Sequence, residues 1–310
     1  MAEMAILYDS SLCTACKGCQ VACKCWNDLP SPTELNANEF TGTYQNPPDL
    51  NGDTRLIMEF AEYEGSGIKP VDWAFSRRSC QHCTDAPCAR VCPPGALKRN
   101  EETGFVEVYP EKCISCHYCS TACPFDVPRY YGGNGGIINK CTGCPDRIEQ
   151  GLAPACVSTC QPEALKFGPR SEMVAEAYRR VAVLRERGYA DACVYGESEM
   201  GGLHVISVLK YGLAKHGAVE NPQVPIAVPL TEIARPLAAV GVGAVVLGMG
   251  WSFINGIGYK RDELRYDEKA GDTIDVETGE VVSHKDLASG AMTYYEHDAE
   301  HGDAAGKDGE

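Results

Sequence analysis

Hydrophobic and polar positions along the chain repeat with two periods, and each period predicts a different element. In RLIMEFAEYE (55–64) apolar and polar side chains alternate, which predicts a strand. It sits within residues 27 to 79, which are otherwise rich in Pro, Asn and Gly and read as an inserted loop. SEMVAEAYRRVAVLRER (171–187) spaces its apolar groups at helical intervals, with Ser171 as cap and Gly188 as stop. LHVISVLKYG (203–212) reads as a strand. NEETG (100–104) predicts a turn between two short apolar stretches. GGNGG (132–136) predicts only a flexible turn, since it lacks the strand-to-helix setting of a nucleotide-binding loop.

One stretch follows neither period. Leu237 to Ile257 runs twenty-one residues without a charge, or roughly 31 Å as a helix at about 1.5 Å per residue, against a bilayer core of about 30 Å. Its five glycines weaken a helix in water, but Ala239 with Gly243, and Ala244 with Gly248, allow close packing in lipid, so a transmembrane helix is expected. Arg235 precedes the span, whereas Lys260, Arg261, Arg265 and Lys269 follow it. That bias predicts a cytoplasmic tail and an exoplasmic (periplasmic) amino-terminal domain. The amino terminus does not read as a cleaved signal peptide, so such a domain is expected to travel with a signal-bearing partner.

Charge changes the picture at one end only. Of the formal net charge of -15, residues 262 to 310 supply -11, from fifteen acidic and four basic side chains, and this tail reads as solvated. No basic stripe suited to a phosphate backbone is present, so nucleic acid is excluded as a partner class.

Eighteen cysteines dominate the chemistry, and sixteen fall in four tight groups before residue 161, which favours metal over disulfides. Group one is Cys13, Cys16, Cys19 and Cys23, and group three is Cys113, Cys116, Cys119 and Cys123 followed by Pro124. Both have the spacing of bacterial ferredoxins, in which three cysteines hold one 4Fe-4S cluster and the fourth serves another. Group two, with Cys80, Cys83, Cys88 and Cys92, has a wider middle gap, and group four, with Cys141, Cys144, Cys156 and Cys160, is looser. Structural zinc needs two pairs, not triplets with a trailing cysteine. The exchange rule pairs Cys80, Cys83 and Cys88 with Cys123, and Cys113, Cys116 and Cys119 with Cys92. PEALKFG after Cys160 echoes PPGALKR after Cys92, so groups one and four read as a second, split unit. There Cys13, Cys16 and Cys19 would take Cys160, while Cys141, Cys144 and Cys156 would take Cys23. Cys25 and Cys193 read as apolar fillers, although Cys25 competes with Cys23, and His82, His117 and His204 read as core or supporting residues.

The predicted fold class is α+β: two intertwined ferredoxin-like units, each holding two 4Fe-4S clusters, with loop insertions and one carboxyl-terminal transmembrane helix. The expected divisions are a four-cluster domain over 1–200 with an insert at 27–79, an extension over 201–236, the span at 237–257 and an acidic tail over 258–310. No catalytic constellation accompanies the cysteines, which predicts a non-catalytic electron-transfer subunit.

With KCTGCPDRIEQGLAPACVSTC, GGLHVISVLKYG and ARPLAAVGVGA, the chain resembles the iron-sulfur (beta) subunits of membrane-bound respiratory formate dehydrogenases, within the four-cluster subunits of molybdenum and tungsten oxidoreductases. Gln161 departs from the proline usual directly after the last cysteine. The resemblance implies a molybdenum or tungsten pterin catalytic alpha subunit that oxidises formate and a membrane cytochrome b gamma subunit that passes electrons to quinone. Two alternatives share features: the membrane-anchored subunit of a nickel-iron hydrogenase or another molybdopterin oxidoreductase, and a free-standing polyferredoxin.

Overall fold

A computed structural model describes residues 3–30, 42–65, 70–132, 135–257 and 263–295. The chain divides into two compact units, Met1–Leu237 and Ala238–Glu310. In chain order the first begins with β1 (Met4–Asp9), α1 (Gly18–Trp26), β2 (Leu56–Glu64), β3 (Val71–Ser79), α2 (Pro87–Arg90), β4 (Leu97–Arg99) and β5 (Val106–Val108). It continues with α3 (Tyr118–Ala122), β6 (Arg129–Tyr131), β7 (Ile137–Asn139), α4 (Pro145–Glu149), α5 (Ala155–Ser158), β8 (Leu165–Pro169), α6 (Arg170–Glu186), β9 (Cys193–Tyr195), β10 (Val205–Leu209) and α7 (Gly212–Lys215). A long helix, α8 (Ala227–Gly256), leaves this unit.

The frame is a four-stranded sheet in the order β8-β1-β10-β9, with β1 parallel to β10 and antiparallel to β8. Because side chains alternate across a strand, Ala5 and Leu7 of β1 meet one layer while Ile6 and Tyr8 meet the other. The first layer is α6, whose Ala177, Val181 and Leu184 recur at helical spacing. Each such Val or Leu contributes roughly 1.5–3 kcal/mol on burial. On the opposite face Ile6 and Tyr8 pack with Leu56, Met58, Phe105 and Cys156. Residues 201–236, read as an extension, thus supply β10 to the sheet.

Three local readings need correction. The helix at 171–187 starts at Arg170 with Pro169 as its flanking residue, so Ser171 does not cap it. There β8 runs straight into α6, and the Arg170 N–H donates to the Glu3 carbonyl (2.8 Å). The insert at 27–79 is more than a loop around one strand, since VDWAFSRRS forms β3 and pairs with β2 along its whole length. Part of that insert, residues 31–41 and 66–69, lies outside the described residues. The GGNGG turn joins β6 to β7, with residues 133 and 134 outside the described residues.

The first turns of α8 are tied to the first unit. Val228 is buried with Val91 and Ala122, and Arg90 grips Glu232 through two hydrogen bonds of 2.7 and 2.8 Å. The span expected at 237–257 is helical as far as Gly256, but among the described residues no helix is long and apolar enough to cross a membrane. The side chains of residues 235, 237 and 239 lie outside the described ones. Those from Val240 onward are exposed, Leu247 at 75% and Phe253 at 72%.

The second unit holds a four-stranded antiparallel meander, β11 (Leu264–Asp267), β12 (Asp272–Asp275), β13 (Val281–Lys285) and β14 (Met292–Tyr294), where composition suggested a solvated tail. Its acidic residues include the turn-formers. In DEKAG, DVETG and DLASG the carboxylates of Asp267, Asp275 and Asp286 accept backbone N–H bonds from the residues two and three further on. Gly271, Gly279 and Gly290 then close each turn at φ 73–75°, a conformation favoured by glycine.

The NEETG turn between β4 and β5 uses the same device, with Asn100 in place of Asp and Gly104 at φ 80°. A Cβ on Gly104 would lie 1.9 Å from His204 Cε1. Gly104→Ala therefore combines left-handed strain with overlap, and should lower stability by about 2–4 kcal/mol. The measurement is the unfolding midpoint beside that of the unaltered chain, and an unchanged midpoint would contradict the close packing here.

Candidate metal centres

Asp9 ends β1 and turns the chain into the first cysteine group. Its carboxylate accepts from the Ser11 N–H (2.9 Å) and from Arg180 Nε (2.6 Å) of α6, while its carbonyl accepts from the Cys13 N–H. All four groups then share one backbone feature. The residue before the second cysteine is left-handed in each: Ala15 (φ 51°), His82 (49°), Ser115 (55°) and Gly143 (83°). Lys17 and His117 repeat this after the second cysteine of groups one and three. For residues other than glycine the conformation costs about 1–2 kcal/mol each, so packing must impose it. Such turns gather backbone N–H groups into a concave cradle for an anion, iron-sulfur sites included. The Ala15 N–H in the first such turn points at Cys13 Sγ (3.4 Å), and outside these turns the Ala96 and Ile138 N–H groups point at the sulfurs of Cys92 and Cys113 at 3.2 and 3.4 Å.

The thiols lie in four neighbourhoods, and the last cysteine of each group is not with its own first three. Cys13 and Cys19 neighbour Cys160, and Cys13 also neighbours Cys16. Cys23 faces Cys141, Cys156 and Cys144. Cys83 faces Cys80, Cys88 and Cys123. Cys92, Cys113, Cys116 and Cys119 line one small cavity with Ile114, His117 and Tyr130. Between neighbourhoods, Cys19 interacts electrostatically with Cys156, Cys80 with Cys141, and Cys88 with Cys119. Those three links arrange the four in a single line. Cys25 is exposed while Cys23 is buried, and Cys193 lies half-buried on β9, opposite Leu209 of β10.

Burial dominates the electrostatics. It pushes Cys19 and Cys144 up to about 12 and Cys123 up to about 11, so without metal these thiols keep their protons, and metal binding must release them. Two cations are buried in the same region. Arg77 of β3, 7% exposed, faces Cys156, Cys141 and Cys19, and its guanidinium hydrogen-bonds to Cys156. Lys140, 2% exposed, donates to the carbonyls of Val106 (2.5 Å) and Cys141 (2.9 Å), and its charge bears on Cys80, Cys88 and Cys123. Neither has a carboxylate partner among the described ion pairs. A buried unpaired cation costs several kcal/mol, so the compensating anion has to be the thiolate-bound metal group. His82 adds a neutral donor. Its Nδ1 accepts from the Val106 N–H (2.9 Å), which leaves the proton on Nε2, 3.4 Å from Cys141 Sγ. Burial, with Lys140 and Arg77 nearby, holds its pKa well below the usual histidine range.

The donor set fits iron-sulfur clusters better than zinc. Among the described residues no three His, Cys, Asp or Glu side chains converge on a single ion. A zinc site draws four thiolates to about 2.3 Å from one point, whereas a cubane spreads them over its corners. His117 lies against Tyr130 with ring centroids 3.8 Å apart and ring planes tilted by 38°, and His204 is buried with Nδ1 2.7 Å from the Met4 carbonyl. Sequence reasoning missed Arg77, Lys140 and Tyr130. Lys140 adjoins Cys141 and was visible as a neighbour, but nothing in the local pattern marks Arg77.

The cradle geometry yields a test at Ala15. Ala15→Gly should keep the bound iron, because glycine adopts φ 51° freely, whereas Ala15→Val should lose the part held at the first cysteine group through a disfavoured β-branched left-handed residue. Iron per chain measures both, and equal retention would show that the turn is not needed.

Residues 71–170 match the family described as a 4Fe-4S dicluster domain. The chain is 38% identical to the nitrate-inducible formate dehydrogenase iron-sulfur subunit of Escherichia coli (strain K12), over 84% of this chain and 87% of that one. It is 39% identical to the formate dehydrogenase iron-sulfur subunit of Haemophilus influenzae, over 79% of this chain and 78% of the relative. With the formate dehydrogenase subunit beta of Megalodesulfovibrio gigas it shares 41% identity over 59% of this chain and 84% of the relative. Iron-sulfur chemistry at grouped cysteines and this identity over most of the length lead to one assignment: the chain belongs to the iron-sulfur, electron-transferring subunits of formate dehydrogenase.

Proposed function

We propose that this subunit holds four 4Fe-4S clusters in two intertwined ferredoxin-like units and relays electrons between a catalytic formate-oxidising subunit and a membrane partner, without catalysing a reaction itself. The observation that carries the proposal is the single line of four thiol neighbourhoods. It supports the ligand sets Cys13, Cys16, Cys19, Cys160; Cys23, Cys141, Cys144, Cys156; Cys80, Cys83, Cys88, Cys123; and Cys92, Cys113, Cys116, Cys119. When bound, the clusters supply one-electron carriers. The chain's own residues fix their order, exclude water by burial and present N–H donors to the sulfurs. The alpha partner would be a molybdenum or tungsten pterin subunit and the gamma partner a membrane cytochrome b.

The uncharged run from Leu237 to Ile257 within and just beyond α8, with Leu247, Trp251 and Phe253 exposed, supports a membrane anchor. The charge bias around it supports a periplasmic cluster domain and a cytoplasmic carboxyl-terminal unit. On this reading the molecule divides into a cluster domain before residue 201, an extension to 236 that completes its sheet, the anchor, and the carboxyl-terminal unit.

In the purified complex, anaerobic analysis should give about sixteen irons per chain, and formate should reduce the clusters. Stoichiometric zinc, or clusters that stay oxidised with formate yet bleach with hydrogen, would overturn the reading. Ending the chain at Arg235 keeps Val228 and Glu232 on the first unit, and should release a soluble domain with its iron intact. Retention of that truncated domain in washed membranes stripped of partners would place the anchor elsewhere.

A further inference from the structure

Arg77 and Lys140 are distributed unevenly along the line of thiols. Arg77 reaches across from β3 to the junction of the first two neighbourhoods, facing Cys19 on one side and Cys141 and Cys156 on the other. Lys140 belongs to the third. Two of its three ammonium protons go to the Val106 and Cys141 carbonyls, and the remaining one is free for Cys80. The Cys92, Cys113, Cys116 and Cys119 neighbourhood has no buried cation among its described contacts. Besides the backbone N–H groups of Ala96 and Ile138, its side-chain partner is the Tyr130 hydroxyl, 3.3 Å from Cys119 Sγ.

We propose that Arg77 and Lys140 are potential-setting residues, fixed positive charges that favour an electron on the two interior clusters while leaving the Cys92 cluster to a neutral phenol. Reduction adds one negative charge to a cluster and breaks no protein bond, so a fixed cation in a low-dielectric surrounding stabilises the reduced form. Hydrogen bonds to cluster sulfurs and net charge nearby are recognised levers on such potentials. Arg77 suits the role because its guanidinium stays charged when buried and spreads its donors in a fork wide enough for sulfurs of two sites. Its burial and its hydrogen bond to Cys156 are the structural mark of that role. His82, donating to Cys141 Sγ, acts in the same direction on the second cluster.

This inference rests on the four-cluster reading, and iron analysis separates the two: an unaltered protein well short of sixteen irons fails that reading, whereas a full complement with unmoved potentials fails this one. The experiment is a redox titration of the intact complex followed by electron paramagnetic resonance, in Arg77→Gln, Lys140→Gln and Tyr130→Phe. Arg77→Gln should make the Cys23 cluster harder to reduce, by at least tenfold in its reduced-to-oxidised ratio at fixed potential, or 59 mV for one electron. A smaller shift is expected for the Cys13 cluster. Lys140→Gln should do the same to the Cys80 cluster, and Tyr130→Phe should move the Cys92 cluster alone. Unmoved midpoints in both charge-removing variants, or an equal shift of all four clusters, would overturn the proposal. If loss of charge costs iron instead, Arg77→Lys and Lys140→Arg decide. Restored iron with near-native midpoints supports a charge role, and equal loss of iron in these charge-keeping variants overturns it.

Discussion

A thiolate withdrawn from water is costly unless positive charge and N–H donors surround it, and this subunit buries many thiols within a single unit. That constraint organises the rest of the molecule. Backbone turns at Ala15 and His82 aim N–H groups at Cys13 and Cys80, and Arg77 and Lys140 bring charge that no carboxylate competes for among the described ion pairs. Each element costs stability on its own. Left-handed alanine and serine are strained, and a buried lysine without an anion is unfavourable. Together, with an anionic metal group between them, the penalties offset one another, which ties folding to metal loading.

The sheet supplies the rigidity that such strain demands. Both faces of β1 are used: Ala5 and Leu7 hold α6, and Ile6 and Tyr8 back the cysteine-bearing layer. The Asp9 carboxylate, gripped by Arg180 of α6, transmits the position of that helix to the start of the first cysteine group. The β2–β3 hairpin covers the other side and delivers Arg77 to its place, since Met58 of β2 sits opposite Arg77 in the register. A segment with a loop-like composition thus contributes one of the two buried charges.

The carboxyl-terminal unit solves a different problem with the same local chemistry. Its acidity is partly spent in turns, where Asp267, Asp275 and Asp286 satisfy backbone N–H groups that a tight turn leaves unpaired. Negative charge here is compatible with a sheet because these carboxylates sit at turn corners, away from the middle of a strand.

What the sequence by itself determined was the local chemistry. The cysteine spacing pointed to iron-sulfur clusters because ligand spacing is a short-range property, and β2, β10, the NEETG turn and most of α6 were legible because period and turn residues act over a few positions. The three five-residue Asp-to-Gly turns of the acidic segment were also written there, in DEKAG, DVETG and DLASG, but average composition hid them. Only the tertiary structure decided the parallel pairing of β1 with β10 across some two hundred residues, the second strand of the insert and the line of thiol neighbourhoods. It alone singled out Arg77, and it imposed one backbone conformation on alanine, histidine, serine and glycine, four residues with no shared propensity. The reason is that burial and long-range packing, which no local pattern encodes, set where a charge is left without water and where a backbone must accept strain.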